Sequence, residues 1–322
     1  MSTQAGSGWS KHFRLERLTE GVYAAVHVDG GWAISNAGIV DLGNRTLVFD
    51  TGLTPQSARD LCATAETLTG RTPDYVVNSH YHNDHIRGNQ VFSEAVVVST
   101  TRILELITTK GCEELKADQK QASENLAAMK NLARSRDSED QKTAALFLPY
   151  WQGILASLPE VRLRLPELTF TDQLTFHGTK QTAQLLEFSR GHTESDCVLF
   201  LPQEGAVFCG DLLFVRGHPY LGDGDPEALL SILDRLRDLA VKRYVPGHGP
   251  VGEKKDLDKM QLYIRTLMQQ IRKAVARGDN VEDAAKQSVP ERFADWILAK
   301  PFYDANLRFL YDRLVAEAKR KE

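Results

Sequence analysis

In the stretch NSHYHNDHIRGN, residues 78–89, three of the chain's nine histidines fall within six positions, with an aspartate between two of them. His80 and His82 are two apart, and on an extended segment side chains at that spacing point to the same side. Both imidazoles can then reach one ion. Asp84 and His85 follow where the chain leaves the strand, and they offer a second pair to a site close by. Neutral imidazole and carboxylate are a ligand set that suits Zn²⁺, with Fe or Mn as alternatives. Alone, a cluster of this kind also suits a surface turn. Three further segments change that balance. SRGHTESD places His192 in a turn after an apolar run, VFCGDLLF ends a run at Gly210 and Asp211, and YVPGHGP sets His248 between two glycines. Each is an acid or imidazole at a strand end beside a glycine, which permits close backbone approach.

The elements that must position these residues are legible as short β-branched runs. GVYAAVHV, WAISNAGIVDL, RTLVFDTG, DYVVNSH and EAVVVST read as strands, each punctuated by Gly, Asp or Asn. TPQSARDLCATAETLTG reads as a helix, with Thr54 as N-cap, Pro55 in the first turn and Gly70 just past its end. From about residue 101 to 158 the chain turns to helix formers. Leu115, Ala122, Leu126, Met129 and Leu132 mark one face there, and SRDSEDQK reads as a solvated loop. Strands return with LTF, QLTFHG, TAQLLEFS, CVLFLP and GAVFCGD. A helix follows with Asp225 as N-cap and Pro226 at its first position, then the short strand RYVPGHG. From about 255 the pattern is helical. The order predicts one α/β domain over residues 1–322, with two sheets flanked by helices. A helical insertion is expected at about 101–165 and a C-terminal helical extension at about 255–322.

Composition narrows the partners. A net charge of −4 gives no bulk attraction for nucleic acid, and no apolar run reaches the length of a membrane span. The opening MSTQAGSGWSKHFRLERL lacks the apolar region of a secretory leader. Cys62, Cys112, Cys197 and Cys209 form no CxxC pair, and Cys209 sits in an apolar run as a buried thiol. These features fit a cytoplasmic protein with a small-molecule substrate and without a nucleic-acid or membrane partner.

Taken together, the motifs resemble those of the metallo-β-lactamase-fold hydrolases. The match lies in HxHxDH (His80, His82, Asp84, His85), the GHT histidine (His192), the GD aspartate (Asp211) and the PGHG histidine (His248), in the family's order. NAGIVDLGNRTLVFDTG also resembles the family's opening hairpin, with Asp50 where a supporting acid stands. The resemblance covers roughly residues 20–252. It implies a four-layer αββα sandwich and two Zn²⁺ ions. His80, His82 and His192 would hold one ion, Asp84, His85 and His248 the other, and Asp211 would bridge them. It further implies hydrolysis of an ester, thioester, lactone or amide by a bridging hydroxide, with Asp84 assisting the leaving group. The zinc β-lactamases of the family carry Cys or Ser where Asp211 stands, whereas Asp there is the pattern of glyoxalase II-like thioesterases and lactonases. A promiscuous β-lactam hydrolase, an iron persulfide dioxygenase-like enzyme and a non-enzymatic metal-binding or relay protein are the alternatives.

Substrate contacts are expected from LLFVRGHPYLGDGDP, which follows Asp211. Arg216, His218 and Tyr220 there could overhang the metals, with His218 the foremost candidate. The tip VDGGW places Trp32 for packing on a ligand. Arg87 and Asn89 read as structural, and His12, His27 and His177 as ordinary residues without partners. The insertion offers LFLPYWQGIL either as a wall of the cleft or as an anchor to the body or to a second subunit of a homo-oligomer.

Overall fold

The computed structural model describes residues 9–297 and 299–320. The first eight residues of the stretch read for a leader, and the last two of the terminal helical pattern, lie outside that range.

The first sheet is seven-stranded, in the order β1 (Phe13–Thr19), β2 (Val22–His27), β3 (Ala37–Asp41), β4 (Thr46–Phe49), β5 (Tyr75–Val77), β6 (Val96–Thr100) and β7 (Leu168–Phe170). Strands β1 to β4 pair antiparallel, and β4 to β7 pair parallel. The strand β1 was not anticipated, although FRLERLT alternates as an edge strand should. The second sheet runs β8 (Gln173–His177), β9 (Thr182–Ser189), β10 (Ser195–Leu201), β11 (Ala206–Phe214) and β12 (Arg243–His248), with only the β11–β12 pair parallel.

Helix α1 (Pro55–Thr69) forms as its caps predict. The Thr54 side chain accepts from the Ser57 amide, and Gly70 closes the helix in the left-handed conformation. It packs Ala58, Leu61 and Ala65 on the outer face of the first sheet, against Ile39, Val48 and Val97. The two sheets meet through Phe49, Val77, Val98, Leu199, Phe208 and Val245. Gly38 sits at this junction because a Cβ there would lie 2.6 Å from the Phe208 ring. Helix α2 (Asn83–Ile86) is a single turn, and α3 (Thr101–Leu106), α4 (Cys112–Leu132) and α5 (Ser138–Ser157) follow β6. The outer face of the second sheet is covered by α6 (Pro226–Asp238), α7 (Lys254–Arg277) and α9 (Ala299–Lys319), with the short α8 (Val281–Ala285) between the last two. This is the expected four-layer αββα sandwich. Burial of Leu229, Leu233, Met260, Ile264, Leu267 and Leu307 against the second sheet makes the C-terminal helices part of the core.

The insertion leaves the first sheet at β6 and re-enters it at β7, its parallel neighbour. Its loop is shorter than SRDSEDQK suggests. Helix α5 begins at Ser138, because the Asp137 carboxylate caps the Glu139 amide and Glu139 and Asp140 favour the first turn. Leu53, Ala122 and Ile154 form a small core beneath it, and Trp151 and Leu155 pack on that core, so LFLPYWQGIL anchors the insertion to the body. No described helix is long and apolar enough to cross a membrane.

Candidate metal centre

The histidine cluster does not lie on a strand. β5 ends at Val77, and His80 sits in the loop beyond it, while His82 is the N-cap of α2. That single turn carries Asp84 and His85. Asp50, just after β4, takes a positive φ of 60° and turns its carboxylate back under the loop. It accepts from the Ser79 amide at 2.7 Å, the Ser79 hydroxyl at 2.8 Å and His85 Nδ1 at 2.8 Å. His192 is fixed in its turn by Asp196, whose carboxylate accepts from the His192 and Thr193 amides. Asp211 lies within β11 and His248 ends β12. Glycine is required beside both. A Cβ on Gly210 would stand 2.6 Å from Ser79 Cβ, and one on Gly247 would overlap Asp211 Oδ1.

These backbones bring seven side chains together in two groups. His80, His82, His192 and Asp211 form one, and Asp84, His85 and His248 the other, with the ligand atoms of each within 4.8 Å of one another. His80 Nε2 and His192 Nε2 both stand 3.0 Å from His82 Nδ1. Asp211 lies between the groups: Oδ2 is 3.3 Å from His192 Nε2 and 3.4 Å from His248 Nε2, and Oδ1 is 3.3 Å from His85 Nε2. Asp84 Oδ2 lies 3.3 Å from His248 Nε2 and 3.6 Å from His85 Nε2.

The donor set fits divalent cations. Donors at about 2.0–2.1 Å from a tetrahedral ion stand about 3.3 Å apart, close to the spacings here. His85 Nε2 and Asp211 Oδ1 are buried and without a hydrogen-bond partner, a cost that a cation between them would relieve. The outer ring nitrogens are already engaged in the way metal-binding imidazoles need. His85 Nδ1 meets Asp50, His80 Nδ1 lies 2.9 Å from the Ser79 hydroxyl, and His82 Nε2 meets Asp223 Oδ2 at 3.0 Å.

Electrostatics point the same way. Burial, reinforced by the neighbouring imidazoles, holds His80 well below its ordinary value, and burial brings His192 down to about 3. Both are neutral donors. Burial works against the charged forms of His85 and His248, but Asp84 and Asp211 outweigh it and raise both. Burial would also raise Asp211, yet His248, His85 and His192 hold it well below the carboxylate range. Asp211 is the anion around which the cluster is organised.

The expected substrate contacts divide. Tyr220 is at the centre, its ring 6.3 Å from that of His82 and 6.5 Å from that of His192. His218 is not. It is fully buried, with Nδ1 3.0 Å from the Tyr263 hydroxyl and Nε2 3.1 Å from the Phe293 carbonyl, and its ring packs on Trp296 and Tyr303. With both nitrogens engaged inside the helical core, it cannot touch a substrate. Arg216 is exposed and faces Asp295 at 3.7 Å. Trp32 stacks on His12 and packs on Gly153 of α5, which makes it a joint between the hairpin tip and the insertion. Arg87 and Asn89 are structural as expected. Arg87 is buried against Asp118 of α4, and Asn89 exchanges hydrogen bonds with Asn78 and Thr51.

Three residues at the rim were not anticipated. Asp223 joins His82 and the Tyr81 hydroxyl. Glu114 on α4 lies within electrostatic reach of His82 and Asp223. Tyr150 on α5 accepts from Asn83 of the ligand-bearing turn at 2.8 Å. The repeated acid in GDGDP was the available signal for Asp223; the other two depend on how the insertion folds back.

Comparison with known proteins gives concordant results. Residues 30–248 match the family described as the metallo-beta-lactamase superfamily. A hydroxyacylglutathione hydrolase of Synechococcus sp. (strain JA-3-3Ab) is 40% identical over 98 residues, which is 29% of this chain and 38% of that enzyme. The beta-lactamase-like protein 2 homolog of Caenorhabditis elegans is 33% identical over 85 residues, 26% of this chain and 28% of that protein. The chain thus matches well under half the length of these curated relatives. A metallo-beta-lactamase from Pontibacter korlensis superposes with a TM-score of 0.58 at 18% identity, over 79% of this chain and 99% of that one, a likeness of fold.

Proposed function

Because this chain belongs to the metallo-beta-lactamase superfamily, we propose that it is a binuclear zinc hydrolase that cleaves an ester, thioester, lactone or amide of a small molecule. The observation that carries this reading is the pair of ligand groups with Asp211 between them. His80, His82 and His192 would hold one ion and Asp84, His85 and His248 the other. Ions bound there supply Lewis acidity at the scissile carbonyl and a water-derived nucleophile at neutral pH. The chain's own residues do the rest. Asp50 and Asp223 fix the outer nitrogens of His85 and His82, and so the tautomers that turn lone pairs inward. Asp84 is the less buried of the two carboxylates in the cluster, and in this reading it would take the proton that the attacking water gives up and pass it to the departing group. Two dications against Asp84 and Asp211 leave a net positive site, suited to an oxyanion.

A thioester or a related acyl compound is favoured over a β-lactam. Support comes from Asp211, which stands where dedicated zinc β-lactamases carry a thiol or hydroxyl, and from the hydroxyacylglutathione hydrolase relative. The test combines elemental analysis of purified protein with turnover of a panel of thioester, lactone, phosphoester and β-lactam substrates. Close to two zinc ions per chain with thioester or lactone hydrolysis is the expected result. One iron per chain with sulfur-dependent oxygen uptake would replace the hydrolase by a dioxygenase.

A further inference from the structure

An aromatic row leaves the centre at Tyr220. The Tyr220 ring stands 6.3 Å from that of His82 and 6.5 Å from that of His192. The Phe302 ring of α9 meets it edge to face at 5.9 Å. The Phe147 ring of α5 then lies nearly parallel to Phe302, at 6.3 Å with the planes 16° apart. A loop of the second sheet, the C-terminal helix and the insertion therefore pass apolar surface from one to the next, beginning at two histidines of one ligand group. Phe302 lies beyond the family match at residues 30–248.

These rings are not core residues. All three are half-buried, and none belongs to the hydrophobic clusters that the described residues form. Their chain neighbours do. Tyr150 and Trp151 pack on the small core beneath the insertion, and Tyr303 is buried in the large core under α9. The row thus keeps apolar surface at the edge of the site, where a bound group gains by covering it. Charge at the same edge selects further. Asp223 meets His82 at 3.0 Å, whereas Lys110, 5.4 Å above the Tyr81 ring, is paired with Glu194 at 3.2 Å. An anionic substituent would meet a carboxylate here and a cation already engaged.

We propose that Tyr220, Phe302 and Phe147 wall a subsite that takes an uncharged, apolar acyl group of the substrate. This rests on the hydrolase reading above, in which Asp84 serves the departing group. Asp84 belongs to the other ligand group, so the rings adjoin the acyl side of the scissile bond. The alternative is that the rings only fasten α9 to the insertion. A wall discriminates between acyl groups, whereas a fastening affects all of them alike.

The zinc-loaded wild type is given thioesters of one neutral thiol, N-acetylcysteamine, carrying acetyl, hexanoyl, phenylacetyl or succinyl groups. The expected kcat/KM is on the order of 10- to 100-fold higher for hexanoyl and phenylacetyl than for acetyl, with succinyl lowest. Phe302→Ala should shrink the hexanoyl-to-acetyl ratio about 10-fold, and Phe302→Leu should restore most of it. The ratio is taken within each variant, so a loss of folded enzyme cancels. A flat series in the wild type, a preference for succinyl over hexanoyl, or a Phe302→Ala loss shared equally by every acyl group would overturn the proposal. A second readout does not need turnover. Hexanohydroxamate should bind the zinc-loaded wild type about 10-fold more tightly than acetohydroxamate by calorimetry, and Phe302→Ala should bring the two affinities together. Equal affinities in the wild type would overturn the subsite whatever the turnover. Failure to hydrolyse any of the thioesters, with the hydroxamate preference intact, would remove the hydrolase reading and leave the apolar wall standing.

Discussion

Two histidine–carboxylate pairs support the cluster from outside, and they differ in their access to water. His85 and Asp50 meet at 2.8 Å with side chains 0% and 1% exposed, and His82 and Asp223 meet at 3.0 Å with 15% and 28% exposed. Asp50 also anchors the Ser79 amide and hydroxyl, so one buried carboxylate organises the whole loop. Burial raises its pKa, and the hydrogen bonds from His85 and Ser79 only partly offset that. Asp223 has burial against it too, but His82 and Tyr81 hold it down to about 2. The sealed pair has no solvent to substitute for a lost partner, whereas at the rim water can step in. The same chemical pair is therefore a folding requirement in one place and an adjustable support in the other.

The largest effect is expected at the sealed pair. In Asp50→Asn, the amide can still accept from Ser79, but its NH₂ group would face His85 Nδ1 and drive the ring proton to Nε2, where a lone pair is needed. Zinc affinity of the Asp84–His85–His248 group should fall about 100-fold, read by competition with a chromophoric chelator. Stability should fall by about 3 kcal/mol, read by urea unfolding. Zinc binding and unfolding like those of the wild type would show that burial does not distinguish the two pairs.

At the rim, Asp223→Asn should weaken zinc at the His80–His82–His192 group by about 10-fold, with unfolding free energy changed by less than about 0.5 kcal/mol. Restoration by Asp223→Glu would mark a positioning carboxylate. A stability loss as large as that of Asp50→Asn would erase the distinction drawn between sealed and open pairs.

The same contrast explains what could be read in the sequence. His192, Asp211 and His248 were legible because each follows an apolar run with a glycine beside it, and neither Gly210 nor Gly247 can accept a side chain; His80, His82, Asp84 and His85 were legible from their crowding in HYHNDH. Asp50 was legible through the likeness of NAGIVDLGNRTLVFDTG to the family's opening hairpin. Residues whose role depends on a distant element were not. His218 shares the loop after β11 with Tyr220 and Asp223, yet it turns inward because Tyr263 of α7 and Phe293 receive both of its nitrogens. No local pattern places those partners beside it. His27 was read as lacking partners, but it takes the Ile34 amide and, through Asn36, is tied to the His248 turn. The spacing of His80 and His82 suggested a strand, but what converges them is a loop held by Ser79 and Asp50 and closed by the N-cap of α2. Two sheets flanked by helices were foreseen from strand and helix order, and the four layers from the family resemblance; the depth to which the insertion reaches the centre, through Tyr150 and Glu114, was not.

The smallest expected effect belongs to Glu114, and it tests whether the rim is electrostatically open as well as wet. Burial, with help from Asp118 and Asp223, raises the Glu114 pKa to about 7 against the opposing pull of His82 and Arg87. In the unfolded chain this carboxyl titrates near 4.5. The fold therefore holds a proton that the unfolded chain has already lost between about pH 4.5 and 7. For a raised acid, the stabilising contribution is complete below the unfolded value, declines as pH rises, and is gone above the folded value. Glu114→Gln cannot ionise and escapes that decline. It should leave the melting temperature unchanged at pH 4.5 and raise it by a few degrees at pH 8, a gain of about 1–3 kcal/mol, with each variant compared with the wild type at the same pH and zinc concentration. An equal gain at both pH values would mean that the acid does not titrate in this window. The charge around His82 would then be as fixed as that around His85, leaving solvent access as the sole difference between the two pairs.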